Sequence, residues 1–274
     1  MSVLDQIVKA YDIRGTVPDQ LNAEVAHALG VGFAKFVPTD RVVVARDMRP
    51  SGPELVDAFA TGLRSHGVGV IDIGLASTDL RYFASGSLDL PGAMFTASHN
   101  PAGYNGVKMC LAGARPVGVD TGLGEIRAMA QSVLDGIGPS ADGASGSYEE
   151  RDLLDAFADH VLSFVDISTI GKLRVVADTA NGMGGLVVPA VIERVPGVEL
   201  EVLFGELDGT FPNHPADPLQ PANQVELQAR VVSGGFDIGL AFEGDADRVF
   251  VVDESGEGLS GSTTTALLAS ATLR

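Results

Sequence analysis

Short apolar runs alternate with amphipathic stretches along this chain, and that rhythm restricts it to an α/β architecture with helices on the faces of its sheets. Asn22 predicts the cap of a helix reaching Phe36, with Val25, Leu29, Phe33 and Phe36 near one face. After a Tyr11-to-Gly15 turn and that helix, residues 42–45 predict a buried strand. Ser51 with Glu54 then predicts a capping box for a helix to about His66. Residues 68–73 predict the next strand, Thr78 opens a short helix, and Ala93-Met94-Phe95 is another strand. A helix is expected over 118–137, weakened in its first turn by Gly122 and Gly124. The Gly-, Ser- and Pro-rich stretch at 138–147 has linker composition and marks a domain boundary. Beyond it a helix is expected over 149–165, a strand over 173–177 and a helix over 186–194. A helix from about Asn223, strands at 237–242 and 249–252, and a helix from Thr263 complete the pattern.

Two strand ends carry chemistry. The strand ending at Phe95 delivers T-A-S-H-N-P-A-G-Y-N-G-V-K, residues 96–108, where one hydroxyl, Ser98, lies among polar groups. His99, Asn100 and Asn105 offer hydrogen bonds, Gly103 and Gly106 permit positive φ, and Lys108 returns a positive charge near Ser98, so the loop suits an anion held on the serine. Its plainer alternative is a surface turn between strands. The second strand end, A-F-E-G-D-A-D-R at 241–248, alternates Glu243, Asp245 and Asp247 between apolar strands. Such carboxylates suit magnesium or calcium, whereas zinc would want His or Cys; the alternative is an acidic turn in an acidic protein. An EF-hand loop is excluded at its sixth position, where the required Gly is Arg248. His99 beside Ser98 raises a serine-hydrolase alternative, but the G-x-S-x-G elbow is missing. The glycine-rich turn at 178–185 lacks both G-x-G-x-x-G and the P-loop Lys, and is read as a tight connection shaping an interdomain cleft. The Pro-rich loop at 208–221 is expected to serve a binding edge or pack on a neighbour.

Together these segments resemble the α-D-phosphohexomutase family, most closely its bacterial phosphomannomutase/phosphoglucomutase branch. T-A-S-H-N-P with Y-N-G-x-K is similar to the family's phosphoserine loop, E-G-D-A-D-R to its metal loop, and K-A-Y-D-I-R-G at 9–15 to its N-terminal signature. The resemblance runs from about residue 5 to the end. It departs at Glu243, where an aspartate is usual, and at Ser262, where Gly-Asp commonly follows. It implies two consecutive three-layer α/β domains with mixed sheets, 1–143 with the phosphoserine loop and 144–256 with the metal loop. Residues 257–274 would begin a third, truncated domain. The implied activity is a phosphohexomutase interconverting hexose 1-phosphate and hexose 6-phosphate through phospho-Ser98 and a bound 1,6-bisphosphate. Magnesium would be held by Glu243, Asp245, Asp247 and phospho-Ser98, with glucose or mannose 1,6-bisphosphate as activator. Arg14 and Arg248 would hold phosphate oxygens, Lys108 would shuttle the hydroxyl proton, and Tyr11, His99 and Asn100 would line the substrate. The truncation implies weak or no turnover by this chain alone, self-association through the surface left by the third domain, and a rival reading as a non-catalytic phosphosugar-binding module.

Composition narrows the partners. The net charge of −18 argues against nucleic acid, and it is uneven: residues 1–137 hold 11 Lys/Arg against 14 Asp/Glu, residues 138–274 hold 7 against 22. The nearly balanced half carries the serine loop and can receive an anionic substrate. No apolar run approaches a membrane span, and a single cysteine, Cys110, fits a reducing cytoplasm.

Overall fold

The computed structural model describes residues 2–141, 143 and 145–272. It divides into two compact units, Met1–Leu153 and Leu154–Arg274, each built on its own sheet. Ala144, beside the boundary expected after 143, lies outside the described residues. So do Asp142 of the expected linker and Leu273 and Arg274 of the final expected helix.

The first unit runs α1 (Val3–Ile7), β1 (Ile13–Thr16), α2 (Ala23–Phe36), β2 (Arg41–Arg46), α3 (Gly52–Arg64), β3 (Gly69–Leu75) and α4 (Thr78–Leu88). It continues through β4 (Gly92–Phe95), β5 (Tyr104–Leu111), the short β6 (Arg115–Pro116), α5 (Leu123–Leu134) and β7 (Tyr148–Glu150). The sheet order is β1-β5-β4-β2-β3-β7, with β6 paired to β5. β2, β3, β4 and β7 are parallel, while β5 returns antiparallel to β4 and β1 lies antiparallel to β5. One face buries α2, α3 and α5 over Val42, Val44, Val70, Phe95, Val107 and Met109. There Phe59 joins Phe33 and Phe95 at ring-centre distances of 6.1 and 5.3 Å, contacts worth about 0.5–1.5 kcal/mol each beyond their area. α4 covers the opposite face, which makes the mixed sheet the middle of three layers.

Several local expectations give way to longer-range partners. The Asn22 cap forms, its side chain accepting from the Val25 N–H. The Ser51 cap does not: Ser51 is already helical, and its hydroxyl accepts from Asn105 Nδ2 at 2.9 Å. The expected turn ending at Gly15 overlaps β1, because β5 supplies backbone partners from Ile13 onward. Residues 149 and 150, expected as the start of a helix, belong to β7, which extends the sheet beside β3, and the helix begins only at Leu154. The helix expected over 118–137 starts with a 3-10 turn at Val119–Thr121 and becomes α-helical after Gly122, whose φ of +129° interrupts it.

The second unit runs α6 (Leu154–Leu162), β8 (Leu173–Asp178), α7 (Gly184–Ile192), β9 (Val198–Leu203), α8 (Val225–Gly234), β10 (Ile238–Phe242), β11 (Val249–Asp253) and α9 (Gly261–Thr272). Its sheet order is β11-β10-β8-β9, parallel except for β11. α8 closes a core of Val176, Leu227, Val231, Phe236, Ala241 and Val252, and α7 packs against α6 and β9. Among the described residues no helix is long and apolar enough to cross a membrane.

Candidate active site and metal loop

The parallel strands β2 and β4 end side by side, with Arg46 opposite Phe95, so the loop 96–103 leaves the carboxyl edge of the sheet, where α/β proteins concentrate their binding groups. Ser98 sits in that loop with φ +53°, a left-handed conformation costing a non-glycine residue roughly 1–2 kcal/mol. The positive φ expected at Gly103 and Gly106 is found instead at the serine. Gly106 is required for another reason: a Cβ there would lie 2.2 Å from the Ile13 carbonyl oxygen and 2.8 Å from that of Thr96. The conformation of Ser98 is held from both sides. Its N–H donates to Thr96 Oγ1 at 2.8 Å, and its carbonyl accepts from Arg49 Nη2 at 2.9 Å. Its hydroxyl lies 3.3 Å from His99 Nδ1, and the residue is 1 % exposed.

β1 brings Arg14 to the same loop by pairing it opposite Gly106. Arg14 Nη1 donates to Asn100 Oδ1 at 2.6 Å, and Nε to Asp12 at 2.7 Å, leaving the side chain 21 % exposed. Ser98, Arg14, His99 and Asn100 are thereby gathered, and Asn105 braces the far side through Ser51 and the Gly106 N–H. Lys108 is half-buried on β5 opposite Met94, on the face away from Val107 and Met109. Tyr11 is 79 % exposed, with its ring beside Gly118. Sequence reasoning missed Arg49. Its signal was an R-D-x-R run directly after a buried strand, which marks charged residues at a sheet's carboxyl edge.

In the second unit β8 and β10 are parallel neighbours, and the acidic loop leaves the carboxyl end of β10. Glu243 and Asp245 are buried and Asp247 is half-buried, yet each offers an oxygen within 4.8 Å of the others. Burial pushes the Glu243 carboxyl up to about 8. A hydrogen bond with Asp247 adds to the shift, the Arg248 bond opposes it, and the charges of Asp245 and Asp247 raise it further. Arg248 grips both Glu243 oxygens, Nε at 2.5 Å and Nη2 on the other. Three oxygen donors whose mutual repulsion a cation would relieve fit a hard divalent ion such as magnesium.

The turn after β8 supports this loop, since the Met183 N–H donates to the Gly244 carbonyl at 2.8 Å. The Pro-rich segment is fastened to the same turn. Asp208 N–H reaches the Asn181 carbonyl at 2.9 Å, and His214 Nε2 lies 3.0 Å from buried Asp178. That bond to Asp178 raises the His214 pKa against the opposing effect of burial. Asp178, at the end of β8, thus gives His214 of the Pro-rich segment a fixed place.

A profile described as phosphoglucomutase/phosphomannomutase, alpha/beta/alpha domain I, matches residues 5–133, and the domain II profile matches residues 155–256. A phosphomannomutase of Salmonella montevideo is 37 % identical over 270 residues, covering 97 % of this chain and 59 % of that protein. A protein of Xanthomonas campestris pv. campestris named phosphohexose mutases is 40 % identical over 266 residues, covering 97 % and 58 %. The crystal structure of a phosphoglucomutase/phosphomannomutase family protein from Burkholderia thailandensis superposes with a TM-score of 0.87 at 36 % identity, covering 100 % of this chain and 59 % of that one. The chain thus spans about three-fifths of the length of these relatives.

Proposed function

The chain belongs to the phosphoglucomutase/phosphomannomutase family, and from that premise we propose that it serves a phosphohexomutase reaction in which Ser98 carries the transferable phosphate. The observation that carries the proposal is the presentation of Ser98: a left-handed serine at a carboxyl strand edge, pinned through both flanking peptide groups, with Arg14 of β1 bonded to the same loop. Such fixed orientation is the main resource of phosphoryl transfer, where positioning and charge compensation supply most of the catalysis.

In the forward half-reaction the bond between phosphorus and Ser98 Oγ breaks as a hexose phosphate hydroxyl forms a new bond to phosphorus. The products are a 1,6-bisphosphate and a free serine. The hydroxyl proton passes to Lys108 and then to the serine oxygen; the bisphosphate turns over and returns its other phosphate to Ser98. Arg14 and Arg248 bind phosphate oxygens, and Tyr11, His99 and Asn100 contact the substrate. Glu243, Asp245 and Asp247 would hold one magnesium ion, which would supply charge compensation for phosphoryl transfer. Glucose or mannose 1,6-bisphosphate primes the serine, and the proposed compartment is the cytoplasm.

Intact-protein mass spectrometry after incubation with glucose 1,6-bisphosphate and magnesium tests this reading. One added phosphate is expected, absent in Ser98→Ala; a variant that still gains it would falsify the assignment. Labelling of Ser98 without steady-state conversion of glucose 1-phosphate or mannose 1-phosphate would select a phosphosugar-binding role without turnover.

A further inference from the structure

We infer that Arg49 is a positioning residue for Ser98, one that fixes the serine's backbone and does not touch phosphate. The inference rests on the reading of Ser98 as the phosphate carrier. Arg49 is 1 % exposed, an expensive place for a cation unless every donor is used. Every donor is. Nε donates to Asp47 Oδ2 at 3.2 Å, Nη1 to the carbonyls of Pro101 and Tyr104, both at 2.8 Å, and Nη2 to those of Ser98 and Asn100 at 2.9 and 2.7 Å. A guanidinium has five N–H donors, so none remains for a ligand. Arg14 differs: it is partly exposed, and its bonds go to the side chains of Asp12 and Asn100 and, at 3.4 Å, to the Ala97 carbonyl.

Four of the five acceptors of Arg49 are carbonyls between residues 98 and 104, three in the loop and one on the first residue of β5, and the planar fork holds them in one arrangement. The fifth, Asp47, anchors the fork to the sheet. Its other oxygen accepts the Arg49 N–H at 3.0 Å, and its own N–H donates to the Phe95 carbonyl at 2.9 Å, where β4 ends. Support therefore runs from the sheet through Asp47 and Arg49 to the peptide that follows Ser98. With the Thr96 bond fixing the preceding peptide, the serine's φ and ψ are set, and its side-chain directions follow from them. Lysine offers three donors at one point and cannot reproduce the fork.

The test uses the full chain with Arg49→Ala and Arg49→Lys. Hydrogen exchange read by mass spectrometry is expected to quicken in residues 96–105 in both variants, and to stay unchanged in residues 243–248. Single-turnover phosphorylation by glucose 1,6-bisphosphate is expected to slow about 100-fold in Arg49→Ala, the scale of a misplaced reacting group. Added guanidinium ion should partly restore it, with the half-saturating bisphosphate concentration unchanged. Wild-type exchange in residues 96–105 of Arg49→Lys overturns the inference. So does an Arg49→Ala defect confined to half-saturation, which would make Arg49 a phosphate ligand. Where Arg49→Ala does not fold, Arg49→Lys carries both measurements. A wild-type chain that gains no phosphate on Ser98 removes the reading beneath, while exchange still decides whether Arg49 holds the loop.

Discussion

The serine loop and the acidic loop share a plan: each joins a strand of a parallel set to an antiparallel return strand, and each contains a non-glycine residue in the left-handed region, Ser98 at φ +53° and Ala246 at φ +58°. Their charge balances are opposite. In the first, a buried cation neutralised by Asp47 spends its donors on backbone carbonyls, so the loop is complete as folded. In the second, three carboxylates converge within 4.8 Å of one another, and Arg248 binds both oxygens of Glu243. One loop is held by a cation of its own chain; the other gathers three carboxylates that could hold a metal ion.

The harshest way to probe that contrast is Gly106→Ala. The new methyl would meet two backbone oxygens that cannot move without parting β1 and β5 from the loop, so a loss of about 3 kcal/mol is expected in urea unfolding. Divalent affinity of the acidic loop, measured by calorimetry, should be unaltered; a parallel fall would break the comparison. Next comes Glu243→Asp. Removing a methylene shortens the arm by about 1 Å and suits the strict octahedron of magnesium, so affinity should rise roughly tenfold. Equal affinity in both proteins would leave the longer arm without consequence.

A third probe is the dependence of melting temperature on pH. The folded Glu243 pKa, about 8, lies above its ordinary value of 4.5, so between those limits the folded state binds the extra proton. Metal-free stability is therefore greatest below about 4.5 as far as this group is concerned, and is lost as pH rises through 8. Glu243→Gln should flatten that slope and magnesium at pH 8 should offset it. A slope that survives the substitution assigns it to another group.

Both loops were legible in the sequence because their donors are contiguous and follow apolar strands. What escaped was whatever depends on distant partners. Arg49 could not be separated from an ordinary surface arginine, because its carbonyl acceptors lie at 98–104. Ser51 has every local mark of a helix cap, yet buried Asn105, whose Oδ1 accepts the Gly106 N–H, donates its Nδ2 to the Ser51 hydroxyl. The three-residue β7 is exposed and polar, and only its pairing with β3 makes it a strand. β9 was absent from the expected elements although V-E-L-E-V-L alternates with period two; its glutamates give it the composition of a linker.

The antiparallel return from β4 to β5 fixes the length of the chain between them. Phe95 is registered opposite Val107, the Thr96 N–H bonds the Gly106 carbonyl, and Arg49 grips carbonyls at four points within the span. An inserted residue would have to slip the ladder, turning Val107 and Met109 away from the core, or dislodge part of the fork. In a library of variants this segment should accept altered side chains at positions such as Ala102, while insertions and deletions disappear. The Pro-rich segment, tied down at fewer points, should show the reverse tolerance for length.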